Sequence, residues 1–181
     1  VRRVTGREPL EVTGKPFAPI MDEARRRRHA HRPLVVGDRL DTDIEAACAA
    51  GMDSLLVLTG VSRLDDLLDA PANARPTFVA PDLTALLRPG RAVHDEGDGA
   101  WRCGDVVIRL TPSNGPEKVR LDVASVGRAA VAGSAADAVT AAAVLHAGSA
   151  AWWARERTVE SARAAVRATL SSWAAPHGWG G

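Results

Sequence analysis

Between residues 33 and 88 the apolar residues come in short unbroken runs rather than in alternation with polar ones. Pro33-Leu34-Val35-Val36, Ser54-Leu55-Leu56-Val57-Leu58 and Thr77-Phe78-Val79 are too short for buried helices and rich in branched or aromatic side chains, which predicts three strands buried on both faces. The segments between them carry helical spacing. Residues 21–28, 43–50, 64–68 and 82–87 are read as helices, the second stopped by Gly51, a residue suited to the left-handed C-terminal position. Strand and helix alternating at short spacing predict an α/β class: a Rossmann-like parallel sheet flanked by helices over residues 14–90.

The pattern changes at Pro89-Gly90. Residues 101–110 and 118–124 read as two strands joined by the turn-rich Pro112-Ser113-Asn114-Gly115-Pro116, and Asp95, Glu96 and Asp98 as a solvated turn. Two alanine-rich helices follow, over 135–157 with a break expected near Gly148, and over 159–173. Residues 91–181 are therefore expected to be a small appended α+β domain, with Trp152, Trp153, Trp173 and Trp179 filling its core. Residues 1–13 hold no complete element and read as the tail of something earlier.

Composition narrows the function classes. The net charge is +1, with 13 basic and 13 acidic residues up to position 90 and 10 and 9 after it, so no global field favours nucleic acid or a membrane surface. The basic run Arg25–Arg28 has no interleaved aromatics and follows Asp22 and Glu23, as a solvated helix face would. Residues 138–154 are weakly polar, but His146, Gly148 and Ser149 interrupt them, which suits a buried helix better than a membrane span. Cys48 and Cys103 are far apart and have no partners at ligand spacing, which argues against zinc and disulfides and fits a reducing cytoplasm.

The chemistry concentrates in two places. Asp38 directly follows its strand and Gly37, in the crevice beyond the carboxyl ends of the strands where ligands of open α/β sheets sit. A carboxylate there suits a hard cation such as Mg²⁺; the alternative is a loop aspartate capping the next helix. Thr42 and Glu45 have the spacing of a capping box, and Asp43 sits in the first helical turn. Structure alone does not explain why Asp38, Asp41 and Asp43 crowd one strand end, where they repel unless a cation lies among them. The second place is Gly14-Lys15-Pro16. Lys15 is one of only two lysines beside 21 arginines, and it is set at the expected start of the helix leading into the Asp38 strand.

Gly14-Lys15-Pro16, followed after about twenty residues by Val35-Val36-Gly37-Asp38-Arg39-Leu40-Asp41-Thr42-Asp43-Ile44, resembles the third and fourth motifs of haloacid dehalogenase superfamily phosphatases. The best match is the subfamily with a large α/β cap, which includes nitrophenylphosphatase-like, phosphoglycolate and glycerol-phosphate phosphatases. Ala49-Ala50-Gly51-Met52 and Leu55 through Val61 continue the likeness, which spans about residues 10 to 90. The resemblance implies that Lys15 steadies an aspartyl nucleophile and the substrate phosphate, that Asp38 is a Mg²⁺ ligand, and that Asp43 orients metal-bound water or the lysine. It implies a cytoplasmic phosphomonoesterase acting on a small phosphorylated metabolite such as glycerol 3-phosphate or phosphoglycolate. Nucleic acid and membrane are not expected partners, and a homo-oligomer is left open.

One departure matters. The family's nucleophile is the first aspartate of an Asp-x-Asp directly after an apolar strand; Asp41-Thr42-Asp43 has the spacing but lies in the loop of the fourth motif. The sequence is therefore expected to be the C-terminal part of such an enzyme, with residues 1–13 the end of a missing cap, and inactive by itself. The rival readings are a non-catalytic module with a vestigial Mg²⁺ site and a Mg²⁺-binding phosphoacceptor domain. Residues 91–181 resemble extensions on actinobacterial members of the family that have been likened to truncated acetyltransferase folds, but they carry no acetyl-CoA pyrophosphate loop. A structural, dimerising or regulatory role is the expectation there.

Overall fold

In the computed structural model of the chain, residues 2–8, 12–113, 118–125, 138–155 and 160–180 are described. One helical turn, α1 (Arg2–Thr5), lies in the segment expected to hold no element. Helix α2 (Pro19–Arg28) follows and leads into strand β1 (Leu34–Gly37). Proline takes the first helical turn at Pro19, where its missing N–H costs nothing. Lys15 thus lies in a turn ahead of the helix, closed by the Phe17 N–H donating to the Gly14 carbonyl at 3.0 Å, rather than at the helix start expected for it. Arg25, Arg26 and Arg27 pair with Asp22 and Glu23 on the exposed surface of α2, as a solvated face does.

A π-helical turn (Leu40–Ile44) runs into helix α3 (Glu45–Ala49), then strand β2 (Asp53–Val57), helix α4 (Leu64–Leu68), strand β3 (Phe78–Ala80) and a 3₁₀ turn (Leu83–Leu87). The strands form a parallel sheet in the order β1-β2-β3, with Val36 opposite Leu55 and Leu56 opposite Val79. This is the expected Rossmann-like α/β half, and Gly51 takes the left-handed conformation (φ +62°) that ends α3. The capping box expected at Thr42 and Glu45 does not form. The turn starts earlier, at Leu40, and the side chain that reaches back to the first free N–H is that of Asp43, accepting from the Arg39 amide at 3.3 Å. Glu45 instead accepts from Asn73.

The second sheet is antiparallel and has four strands, not two: β4 (Val93–Gly97), β5 (Ala100–Cys103), β6 (Val106–Ser113) and β7 (Lys118–Ser125). The run read as one strand over 101–110 is a hairpin turned at Gly104-Asp105, where Gly104 has φ +59°. Asp95 and Glu96, read as a turn, lie on the edge strand β4. That strand is mostly exposed, so its polar residues give no alternation from which to predict it. The turn proper is Gly97-Asp98-Gly99, with positive φ at all three positions. Pro112 and Ser113 extend β6, while residues 114–117 of the expected connection lie outside the described residues.

Helix α5 (Ala138–Trp153) packs against β3 of the parallel sheet and against β5 and β6 of the antiparallel one, and α6 (Glu160–Ala174) packs on α4, α5 and β7. Residues 135–137, 156–157 and 159 of the expected helices lie outside the described residues. The change from parallel to antiparallel sheet falls near Pro89-Gly90. One buried cluster nevertheless runs through both parts, from Leu40, Ile44, Leu56 and Leu67 to Ile108, Leu145, Leu170 and Trp179. The tryptophans serve this shared core: Trp152 and Trp179 are buried, and the Trp153 indole N–H donates to the Leu67 carbonyl of α4 at 3.0 Å. Cys103 lies in it too, where desolvation pushes its thiol up to about 11.

Helix α5 does not break at Gly148. The glycine is there because α6 passes close by: an added Cβ would lie 2.5 Å from a methyl of fully buried Leu170. Gly148→Ala should therefore destabilise the protein by about 1–3 kcal/mol in urea unfolding through overpacking. That direction is opposite to the gain of up to about 1 kcal/mol that helix propensity alone would give.

Candidate active site

The candidate residues meet at the carboxyl ends of β1 and β2. Strand β1 ends on Gly37, and Asp38 follows. The Asp38 carboxylate accepts the Val61 N–H at 3.0 Å through Oδ2, and its backbone carbonyl accepts the Ser62 N–H at 3.0 Å. The Ser62 hydroxyl in turn accepts the Leu40 N–H at 3.0 Å, so the loops after β1 and β2 are laced together around Asp38. Among the described residues, Oδ1 of Asp38 accepts no hydrogen bond.

Asp43 lies beside it. Its side chain is only 10% exposed and rests on Gly37, while its Oδ1 accepts a hydrogen bond from Lys15 Nζ at 2.5 Å. Lys15 is 46% exposed, so its ammonium faces the crevice with donors to spare. The structure thus brings Lys15 onto Asp43 and places Asp43 against the residue that precedes Asp38.

Two glycines make this packing possible. A Cβ on Gly37 would lie 2.2 Å from the Cβ of Asp43, and one on Gly60 would lie 1.9 Å from Oδ2 of Asp38. In the sequence Gly37 and Gly60 read only as strand ends and as part of the family likeness. The available signal was a glycine at the carboxyl end of each of two buried strands, where only a bare Cα lets a carboxylate sit against the backbone. The part played by Ser62 and the Val61 amide had no sequence signal.

Asp41 is not part of the cluster. It is exposed and held by Arg39 through two hydrogen bonds of 3.0 and 2.8 Å, and this pairing lowers its pKa while raising that of Arg39. The crowding of Asp38, Asp41 and Asp43 therefore does not itself require a metal. Arg39 and Lys15 neutralise two of the three carboxylates, and the Val61 amide holds the third.

Among the described residues no group of three or more histidine, cysteine, aspartate or glutamate side chains could hold a metal ion. Asp38 alone fits a hard cation: one oxygen is fixed by an amide and the other is available, at the end of a parallel strand. Mg²⁺ commonly takes only one or two protein carboxylates, with water and phosphate completing its shell, so a single such ligand is consistent with part of a site. A cavity of 670 Å³ lined by Leu34, Leu55, Phe78, Arg88, Cys103 and Ala143 includes none of Lys15, Asp38 and Asp43.

The chain is similar to known proteins. Residues 12–86 match the HAD-hydrolase-like family. The chain is 43% identical over 102 residues to D-glycerol 3-phosphate phosphatase of Mycobacterium tuberculosis, a stretch covering 56% of this chain and 29% of that protein. It is 39% identical over 88 residues to the ribonucleotide monophosphatase NagD of Escherichia coli, covering 48% of this chain and 34% of the relative. Over residues 12–86 the chain is thus similar to the haloacid dehalogenase superfamily. The relatives that it resembles there are phosphatases. The solved structure of M. tuberculosis glycerol phosphate phosphatase in complex with magnesium superposes with TM-score 0.63 and 32% identity, covering 93% of this chain and 47% of that one. The likeness therefore extends past the dehalogenase-type segment into the antiparallel sheet and the helices that follow it. The chain spans less than half the length of these relatives. Among the described residues, no helix is long and apolar enough to cross a membrane.

Proposed function

We propose that this chain supplies the lysine and metal-ligand half of a Mg²⁺-dependent phosphomonoesterase site acting on a small phosphorylated metabolite, glycerol 3-phosphate or phosphoglycolate being candidates. The observation that carries the reading is the Lys15–Asp43 pair seated on Gly37, directly before Asp38 at the end of β1. The similarity to a glycerol phosphate phosphatase supports the substrate class.

Asp38 would hold Mg²⁺, which when bound supplies neutralisation of phosphoryl charge. Asp43, nearly buried, fixes the Lys15 ammonium by one hydrogen bond and leaves its other N–H groups for the phosphoryl oxygens and the attacking carboxylate. Such preorganised positive charge does its work where negative charge builds during transfer. The attack would be by an aspartate, giving an aspartyl-phosphate that water hydrolyses. Apart from Asp41-Thr42-Asp43, residues 1–181 contain no Asp-x-Asp, and Asp41 is occupied by Arg39 on the surface. The nucleophile of this reading comes from sequence outside these 181 residues.

The test is a fusion of this chain behind the amino-terminal half of the M. tuberculosis phosphatase. It should hydrolyse nitrophenyl phosphate only with Mg²⁺, and Asp38→Ala and Lys15→Met should each lower kcat by about 100- to 1,000-fold. Hydrolysis that survives both substitutions would remove these residues from the site.

A further inference from the structure

We infer that the C-terminal segment 175–179 is a positioning element for Asp38, holding from outside the loop whose Val61 amide grips the carboxylate and whose Ser62 amide grips the Asp38 backbone carbonyl. This inference rests on the reading of Asp38 as the metal ligand.

The loop from β2 to α4 is short, and its third residue is Gly60, which must lack a side chain to admit Asp38. On either side Thr59 and Val61 are exposed, and the loop's buried residues are Leu58 at its start and Ser62 near its end. Among the described residues the amides of Val61 and Ser62 bond to Asp38, the Ser62 hydroxyl accepts from Leu40, and the other support of this stretch is through the residues that follow, Arg63 and Leu64. A carboxylate cannot be held firmly by a loop that it alone is holding.

The second anchor comes from the far end of the chain. The Leu64 N–H, the first of α4, donates to the Trp179 carbonyl at 3.1 Å, and the Arg63 guanidinium donates to the Gly178 carbonyl. The first N–H groups of a helix have no partner within it, so a carbonyl supplied from elsewhere fixes where the helix begins. Trp179 is held in turn. Its indole is buried, its ring stacks on His177 at 4.6 Å, and its N–H donates to the Ala174 carbonyl around the left-handed Gly178 (φ +72°).

Helix α4 has five residues and cannot hold itself. What fixes it belongs to the same appended part. Arg167 of α6 forms two hydrogen bonds of 2.5 and 2.7 Å to Asp65, and Arg163 two of 2.9 and 2.7 Å to Asp69. Trp153 of α5 caps the Leu67 carbonyl. The run Trp179–Leu64–Ser62–Asp38 is continuous hydrogen bonding and backbone from the tail to the Asp38 carbonyl, and the adjacent Val61 amide reaches its carboxylate. Trp179, Gly178 and Arg63 are positioning residues in this account, because none of them touches a substrate.

The test uses the 181-residue chain with Trp179→Ala, Gly178→Ala and the conservative Trp179→Phe. In the first two, amide hydrogen exchange at Val61, Ser62 and Leu64 should speed up about tenfold relative to the β2 amides of Leu55–Val57, about what losing one hydrogen bond would allow. Mn²⁺ binding, followed by paramagnetic broadening of the same amides, should weaken by a similar factor, and Trp179→Phe should restore both. Gly178→Ala disturbs only the turn and decides the matter if Trp179→Ala does not fold. The inference is overturned if Val61 and Ser62 keep pace with the β2 amides while Leu64 alone loosens, or if all amides speed up together. Should Mn²⁺ bind away from Asp38 in the unaltered chain, the metal reading fails, while the exchange data still decide whether the tail holds the loop.

Discussion

Gly60→Ala should cost the fusion enzyme about 100-fold or more in activity, the scale expected when a reacting group is displaced by an ångström. The new Cβ would stand 1.9 Å from Oδ2 and 2.3 Å from the Cβ of Asp38, and neither can be tolerated. Asp38 cannot swing away without losing the Val61 amide, and the loop cannot retreat without losing the Ser62 contacts on both sides. Gly37→Ala acts on the other carboxylate, placing a methyl carbon 2.2 Å from the Cβ of Asp43 and so displacing the partner of Lys15. Overpacking at either position should destabilise the fold by about 1–3 kcal/mol, far less in proportion than the loss of activity. Urea midpoints measured beside kcat separate the two effects. If the alanine variants lose stability and activity in step, or keep their activity, the glycines are not there to admit carboxylates.

Acid should weaken the fold well before its carboxylates protonate, because of His146. This residue is buried in α5 with Nδ1 unpartnered, and desolvation pulls its pKa down to about 4 against an opposing pull from the Pro76 carbonyl. The folded protein therefore keeps the ring neutral, while the unfolded chain takes up a proton as the pH falls through the ordinary histidine value of 6.5. Between those two values the unfolded state binds more protons, so stability rises with pH. The contribution is complete above about pH 6.5, falls by up to roughly 1.4 kcal/mol per pH unit below it, and levels off near pH 4, a total on the order of 3 kcal/mol. His146→Met keeps the volume and removes the titration. Its stability measured from pH 7 to pH 4.5 should be flatter than that of the parent by most of this amount; parallel curves would mean that the imidazole is hydrated in the folded state. Ser149, one turn along the same helix with its hydroxyl also buried and unpartnered, does not titrate in this range and leaves the comparison clean.

The parallel half of the fold was legible because its strands announce themselves. Val35-Val36, Leu55-Leu56-Val57 and Phe78-Val79 are unbroken apolar runs too short for buried helices, although only β2 is buried along most of its length and β1 and β3 are mostly half-buried. The antiparallel half was not legible in the same way. Strand β4 is an exposed edge made of His94, Asp95 and Glu96, and the turn at Gly104-Asp105 is hidden inside what reads as one long strand. Helix α5 was expected to break at Gly148 because glycine weakens helices. It does not, because the cause of that glycine lies in Leu170, a contact twenty-two residues away that periodicity cannot register.

The site divides along the same line. Lys15, Asp38 and Asp43 were singled out from motif and position, and in the structure Lys15 bonds to Asp43, which rests on Gly37 directly before Asp38. Their supports were not, because Gly60, Ser62 and the tail at Gly178-Trp179 come from other elements and act largely through backbone groups, which the sequence does not distinguish. The reasoning about Asp41 failed for a similar reason: its partner is Arg39, two residues away, a cation that the argument from repulsion left out.

The central claim is that Asp38 and the Lys15–Asp43 pair form one cation- and phosphate-handling site at the ends of β1 and β2. A Mn²⁺ titration of the 181-residue chain, followed by broadening of its backbone amide signals, tests this most directly. The account predicts that residues 37–39 and 60–62 broaden first, that Asp38→Ala abolishes this, and that inorganic phosphate added with Mn²⁺ then perturbs Lys15. Broadening that begins instead at the acidic edge around Asp95 and Glu96, or that is unchanged by Asp38→Ala, would contradict it.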